Sequence, residues 1–180
     1  STDGVLAQGL VALLGARAYD AVGTYTLDST YAEGLHQILY DARGETIVAP
    51  LRASTEWTFE GVVDAEAVYG AFRDAVATSS RAENARVWAL FLGRALTLAL
   101  LGRLGEADPG AFAQYLFVTT GDQIEAGVHE LPDATSLLYV AGGVRRRRGE
   151  ARPSTRFPQV REAVEEREGF EERWAADLPS

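Results

Sequence analysis

The sequence contains no cysteine, no methionine and no lysine, and only two histidines among its 180 residues. Without cysteine, disulfides, thiol nucleophiles and thiolate zinc sites are excluded. Without lysine, a Schiff base and the lysine of a phosphate-binding P-loop are excluded. His36 and His129 lack a partner at a recognised metal-ligand spacing, so we expect no metal site and no cofactor.

Targeting signals are equally scarce. No basic segment precedes an apolar run at the N-terminus, so we expect no signal peptide and a cytoplasmic protein. Arg86, Arg94 and Arg103 interrupt the longest apolar stretch at intervals too short for a membrane span, so we expect no membrane partner.

The composition that remains, 47% hydrophobic and 24% charged, is typical of a single globular core. The net charge of −9 disfavours binding to a phosphate backbone, so we do not expect nucleic acid as the main partner. Charge is nevertheless divided along the chain: the net charge is −10 over residues 1–144, +6 over 145–161 and −5 over 162–180. This division predicts one globular domain over 1–144, followed by an extension over 145–180 made of a basic loop and an acidic amphipathic helix.

Within the globular part, apolar spacing predicts a first helix over 4–20. β-branched and aromatic residues between 24 and 60 predict a small antiparallel sheet, with residues 35–40 paired to 45–52 across the turn at 41–44. Helical spacing returns over 63–77.

The most apolar segment follows the sequence Ser80-Arg81-Ala82-Glu83, which matches a helix capping box. Its apolar residues cover nearly the whole circumference, which predicts a central core helix over 81–104. Further along, residues 136–141 predict a strand and 157–176 a final helix. The fold class is therefore predicted as α+β: an N-terminal helix, a small antiparallel sheet, a helical layer around the central helix, and a C-terminal helix.

A few polar side chains are candidates for a ligand site. Arg94 interrupts the apolar segment, and a buried guanidinium needs an anionic or carbonyl partner. His36 lies in the predicted strand on the same face as its apolar neighbours, which also fits a structural histidine. Glu56 and Glu60 lie where the predicted sheet gives way to a helix, and they supply carboxylates for acid–base work or for solvation of the helix start.

The basic loop is the other candidate. It contains six arginines that are able to contact carboxylates or phosphates: Arg145, Arg146, Arg147, Arg148, Arg152 and Arg156. No aromatic residue is interleaved among them, so a base-stacking platform is absent.

Three functional hypotheses follow. The main prediction is a non-enzymatic adaptor or assembly subunit that binds a protein partner, or itself, through an apolar helix face and the charged C-terminal segments. The alternative is a small-molecule-binding domain or enzyme with a pocket between the sheet and the central helix, lined by His36, Arg94 and a carboxylate. A weaker alternative is a nucleic-acid-associated factor acting through Arg145–Arg148. No catalytic motif is present, so enzymatic activity stays open and is not favoured.

Overall fold

The computed structural model describes residues 2–16, 21–79, 82, 84–141 and 144–147. Over these residues strands and helices alternate along the chain. The strands are β1 (Val22–Leu27), β2 (Ile47–Ala53), β3 (Thr58–Phe59), β4 (Val62–Val63), β5 (Val87–Phe91), β6 (Leu116–Thr120), β7 (Leu137–Ala141) and β8 (Val144–Arg147). The α-helices are α1 (Thr2–Ala16), α2 (Thr30–Arg43), α3 (Ala65–Thr78), α4 (Gly93–Ala107), α5 (Pro109–Phe112) and α6 (Gly121–Ile124). Short 3-10 turns occupy Gly44–Thr46, Thr55–Trp57 and Glu125–Glu130.

The main sheet has the strand order β2-β1-β5-β6-β7-β8. The five strands from β2 to β7 in this order run parallel, and β8 returns antiparallel against β7. Strands β3 and β4 form a separate two-stranded hairpin. Parallel neighbours require long crossover connections, and here α2, α3 and α4 lie within them.

Helices cover both faces of this sheet. On one face, α1 and α2 pack over the side chains of alternate strand positions, such as Val87, Ala89 and Phe91 of β5. On the other face, α3 and α4 pack over the intervening positions, Trp88 and Leu90. Every residue of β5 and β6 is buried, as expected for central strands of a parallel sheet. The fold is therefore a doubly wound α/β arrangement.

The predicted α+β fold class is wrong. Residues 35–40, predicted as a strand, lie within α2, which begins after Ser29, whose hydroxyl accepts a hydrogen bond from the Ala32 amide. Helical spacing places Ala32, Leu35 and Leu39 together on the buried side of α2, and burial of that face outweighs the strand propensity of 38–40. β2 therefore pairs with β1 in parallel and not with 35–40 in a hairpin.

The predicted central helix over 81–104 is also wrong. Its first half is strand β5, and α4 begins only at Gly93. A segment that is apolar at every position fits a buried strand as well as a buried helix, because both environments lack a polar face. Gly93 has a φ of 78°, and this left-handed turn separates the two elements.

Other predicted elements agree with the structure to within a few residues. α1 lies within the predicted 4–20 region apart from its first two residues, α3 matches 63–77, and β7 matches 136–141. The basic segment begins with β8 and not with a loop. The capping box at Ser80 and the helix at 157–176 lie largely or wholly outside the described residues, and the division into 1–144 and 145–180 stays a prediction. None of the described helices is both long and apolar enough to cross a membrane.

Candidate functional site

The carboxyl ends of the parallel strands form the edge at which this fold positions polar side chains. From β1 the chain turns through α2 to β2 on one side, whereas β5 and the strands after it lie on the other side of β1. The helices that follow β1 and β5 cover opposite faces, so the strand order reverses between these two strands. Such a switch point is where open α/β sheets bind ligands.

A chain of hydrogen bonds links three connections at this edge. The Tyr31 hydroxyl, at the start of α2, donates to the Asp122 carboxylate at the start of α6. The Gln123 amide Nε2 lies 3.1 Å from the same carboxylate oxygen, Oδ2. Its Oε1 accepts a 2.6 Å hydrogen bond from the Gly93 amide at the start of α4. The connections after β1, β5 and β6 are thereby fixed relative to one another.

Asp122 is left with unused acceptor capacity. Tyr31 and Gln123 both donate to Oδ2, and Oδ1 receives no hydrogen bond from the described residues. Asp122 is exposed, whereas Gln123 is buried. The carboxylate is therefore oriented by the protein and still open to a donor from solvent or from a ligand.

The start of α4 supplies positive charge beside this carboxylate. The N-cap residue, Leu92, supplies no side-chain hydrogen bond, and Gln123 accepts from the Gly93 amide, so the amides that follow Gly93 are the ones that complement an anion. Arg94 is exposed and forms no ion pair with a described residue. Its aliphatic stem packs against Gly127, where a Cβ would lie 3.1 Å from the Arg94 Cδ. One glutamine side chain, Gln123, bridges the negative and positive groups of the site.

The α2 face of the sheet carries a second group of polar atoms. Thr24 Oγ1 on β1 lies 3.2 Å from His36 Nε2, within hydrogen-bond distance. The imidazole meets the Phe91 ring edge-on, with the centroids 6.5 Å apart. Burial lowers the pKa of His36, and the positive charge of Arg52 lowers that pKa further, against an opposing effect of Glu33. The fold therefore favours the neutral form of His36 over the charged one.

The structure does not bring the predicted site residues together. His36 lies on α2 and Arg94 on α4, and these helices cover opposite faces of the sheet. Glu56 lies in the turn after β2 and Glu60 at the tip of the β3–β4 hairpin, both exposed. Apolar side chains, including Leu100, pack between the sheet and α4.

The arginines of the basic segment have mixed placements. Arg145, Arg146 and Arg147 lie on β8, in register with Val140, Tyr139 and Leu138 of β7. Arg148, Arg152 and Arg156 lie outside the described residues. Their role in partner binding stays a prediction.

Sequence reasoning missed the residues at the switch point. Tyr31, Gly93, Asp122 and Gln123 were absent from the candidates because no local motif distinguishes them. The available signal was positional: a polar residue one or two positions after a strand, as in Leu27-Asp28-Ser29 and Thr120-Gly121-Asp122. That signal required recognising β1, β5 and β6 as parallel strands.

Known proteins share this fold at low sequence identity. No protein-family model matches the chain, and no curated protein matches it by sequence. The crystal structure of a branched chain amino acid ABC transporter periplasmic ligand-binding protein from Burkholderia xenovorans superimposes with a TM-score of 0.52 at 13% identity. That of an extracellular ligand-binding receptor from Verminephrobacter eiseniae superimposes with a TM-score of 0.51 at 14% identity.

These likenesses cover most of this chain but only part of the other proteins. The matches include 76% of this chain and 34% of the Burkholderia protein, and 96% of this chain and 47% of the Verminephrobacter receptor. The chain thus spans less than half the length of either. The prediction of an adaptor or assembly subunit is contradicted, because both neighbours are ligand-binding proteins. What the comparisons establish for this chain is its α/β fold.

Proposed function

We propose that this chain is a small-molecule-binding domain whose ligand lies at the carboxyl edge of the sheet, over the switch point between β1 and β5. The observation that carries the proposal is the hydrogen-bonded chain Tyr31–Asp122–Gln123–Gly93, which holds three connections in one geometry at this edge. A binding site held in place before the ligand arrives loses less entropy on association.

The charges at the edge indicate the ligand's chemistry. Asp122 offers a free carboxylate oxygen to a donor or cation, and Arg94 with the amides that follow Gly93 at the start of α4 offers donors to an anion. A small molecule bearing both kinds of group, such as an α-amino acid, complements both. The branched chain amino acid transport protein among the structural neighbours supports this class.

The two structural neighbours are more than twice as long as the part of them that this chain matches, and this bears on how much of a binding site the chain supplies. The chain corresponds to less than half of each receptor, so in those proteins more polypeptide accompanies the shared part. We infer that this domain contributes one side of a binding site. Affinity of the isolated chain should then be modest, because one side buries less of the ligand than a closed cleft.

The proposal is tested by thermal unfolding of the full chain with each of the twenty L-amino acids at millimolar concentration. A ligand that binds only the folded state at a hundred times its Kd adds about 2.7 kcal/mol. In a chain of this length, that corresponds to a rise in Tm of about 5–11 °C. Titration calorimetry on the amino acids that raise the Tm then gives the Kd.

A charge-matched pair of variants locates the site. Asp122→Asn removes the free carboxylate, and we expect it to weaken binding by about tenfold or more, as for a lost hydrogen bond to a charged group. Asp74→Asn removes the same charge from an exposed position on α3 and should leave the Kd unchanged. Equal Kd values for wild type and Asp122→Asn, or no Tm rise with any amino acid, contradict the proposal.

A further inference from the structure

Gly127 is a buried glycine in the 3-10 turn Glu125–Glu130, and it packs against two side chains of α4. A Cβ there would lie 2.9 Å from Leu98 Cδ1 and 3.1 Å and 3.2 Å from Arg94 Cδ and Cγ, whereas carbon atoms in contact lie about 3.5–4.0 Å apart. The φ of Gly127 lies outside the left-handed region, so the backbone does not require glycine at this position. What the glycine supplies is therefore space for the two side chains.

The side chains that meet Gly127 belong to one face of α4. Arg94 and Leu98 are neighbours on the helix surface, because residues at this spacing lie one turn apart. Leu98 is partly buried and packs against the apolar core, whereas Arg94 is exposed. The aliphatic stem of Arg94 therefore packs on the Gly127 backbone while the residue stays open to solvent, as long cationic side chains do at the rim of an apolar surface.

The segment that carries Gly127 also carries the rest of the candidate site. Asp122 and Gln123 lie in α6, directly before this turn. Gln123 accepts a 2.6 Å hydrogen bond from the Gly93 amide at the start of α4, and Gly127 contacts the stem of the next residue, Arg94. One short segment therefore sets where the Asp122 carboxylate and the Arg94 stem lie relative to each other.

We propose that Arg94 binds the anionic group of the ligand and that Gly127 is the positioning residue that directs it. The inference rests on the proposed function and names the pair of residues that gives the site its preference for an anion. Arg94 is available for this role, because it is exposed and forms no ion pair with a described residue. Its guanidinium stays charged and presents a planar set of donors that matches a carboxylate.

A methyl group at position 127 should redirect Arg94 without unfolding the chain. The three atoms nearest to the added Cβ belong to side chains of α4 and not to the backbone. Of these side chains, Arg94 is the freer to move, because it is exposed whereas Leu98 packs against the apolar core. The overlap is therefore relieved mainly by a shift of the Arg94 stem, which carries the guanidinium with it.

The test compares Gly127→Ala with Arg94→Gln and with the double variant. Gly102→Ala is the matched control, because it adds the same methyl on α4 at a position where a Cβ meets nothing within 4 Å. Titration calorimetry on the full chain gives the Kd for two probes: the amino acid that raises the wild-type Tm most, with L-leucine as the first, and its α-carboxamide, L-leucinamide for leucine. The amide keeps the ammonium and lacks the carboxylate, so the ratio of the two Kd values measures recognition of the anionic group.

We expect the wild type and Gly102→Ala to bind the amino acid about tenfold more tightly than the amide, as for a hydrogen bond between charged groups. Gly127→Ala should reduce this ratio to about twofold while its Tm stays close to that of the wild type. The double variant should have the same ratio as Arg94→Gln alone, because both changes act through one guanidinium. A general loosening of the site would instead weaken both probes together and leave the ratio unchanged.

A second variant keeps the test decisive if circular dichroism shows that Gly127→Ala is not folded. Leu98→Ala/Gly127→Ala removes the closest contact, at 2.9 Å, and keeps the added methyl beside Arg94. The ratio should fall to the same extent in this variant, whereas Leu98→Ala alone should keep the wild-type ratio.

Two results overturn the inference while the proposed function stands. A wild-type ratio in the folded variant with alanine at position 127 means that Gly127 does not direct Arg94. A wild-type ratio in Arg94→Gln, or equal binding of acid and amide by the wild type, means that Arg94 does not bind the anionic group. If no amino acid binds the wild type, the proposed function itself fails, and the inference fails with it.

Discussion

Gly23 on β1 is the position where a single methyl group should have its largest effect. A Cβ there would lie 2.4 Å from Cδ2 of Trp88 and 2.5 Å from its Cε2 and Cε3, whereas carbon atoms in contact lie about 3.5–4.0 Å apart. The indole has little room to retreat, because it is fully buried, donates to the Ala85 carbonyl at 3.2 Å and meets Phe72 edge-on at 4.8 Å. Relieving the overlap therefore requires β1 or β5 to move by about 1 Å.

We expect Gly23→Ala to lower the free energy of unfolding by about 3 kcal/mol, the upper part of the range for overpacked cores. For a chain of this length, that corresponds to a fall in Tm of roughly 6–12 °C. Urea denaturation followed by circular dichroism measures the change. The control is Gly34→Ala on the exposed side of α2, where a Cβ meets nothing within 4 Å and helix propensity predicts a gain of about 0.5–1 kcal/mol.

Two results would refute this reasoning. The first is a loss below about 0.5 kcal/mol in Gly23→Ala, within the range of ordinary surface substitutions. The second concerns the double variant Gly23→Ala/Trp88→Phe. Because the smaller ring relieves the overlap, the double variant should lose clearly less than the two single losses combined, and simple additivity contradicts the proposed contact.

Three further predictions concern α2, α4 and pH. Ser29→Ala removes the hydroxyl that accepts from the Ala32 amide and should lower the free energy of unfolding by about 1 kcal/mol in urea titrations; no change would show that this cap is not formed. Leu100→Ala opens a cavity between α4 and the sheet, and the same titrations should show a loss of about 2–5 kcal/mol, whereas a loss under 1 kcal/mol contradicts its burial. Because the pKa of His36 is lowered in the fold, the unfolded chain takes up the proton first, so stability should fall as the pH drops below about 6.5 and level off below the folded pKa. His36→Gln should reduce that decline between pH 7.5 and 5, and an identical pH profile in the variant contradicts the assignment.

The sequence pattern was sufficient to predict some of the helices but not the strand order or direction of the sheet. The segment 63–77 has one buried stripe, Val68 and Phe72 among its members, and this amphipathic pattern predicted α3 within two residues. The segment 35–40 carries the same helical spacing through Leu35 and Leu39, but isoleucine and tyrosine beside them favoured a strand. Assigning that strand removed the helix needed between β1 and β2, and a parallel sheet was then read as an antiparallel one.

The boundary between β5 and α4 was not predicted from the sequence, for a different reason. From Val87 to Leu92 every residue is buried. The segment therefore has no alternation of polar and apolar residues that would distinguish a strand from a helix. The information lies in Gly93, whose positive φ ends the strand and begins the helix. A single glycine within an apolar segment has many possible causes, and only the neighbouring strands decide between them.

The candidate site was missed because binding and catalysis depend on different residues. A search for nucleophiles, proton shuttles and clustered arginines led to His36, Arg94 and the 145–156 segment, since those side chains are rare or unusually placed in the sequence. Asp122 and Gln123 are residue types common in turns and caps, so the local sequence does not distinguish them. They form a candidate site only because parallel strands place the ends of residues 22–27, 87–91 and 116–120 at one edge. A chain poor in reactive groups is therefore poor in catalytic options, but not in hydrogen-bond donors and acceptors, which are what recognition of a small polar molecule requires.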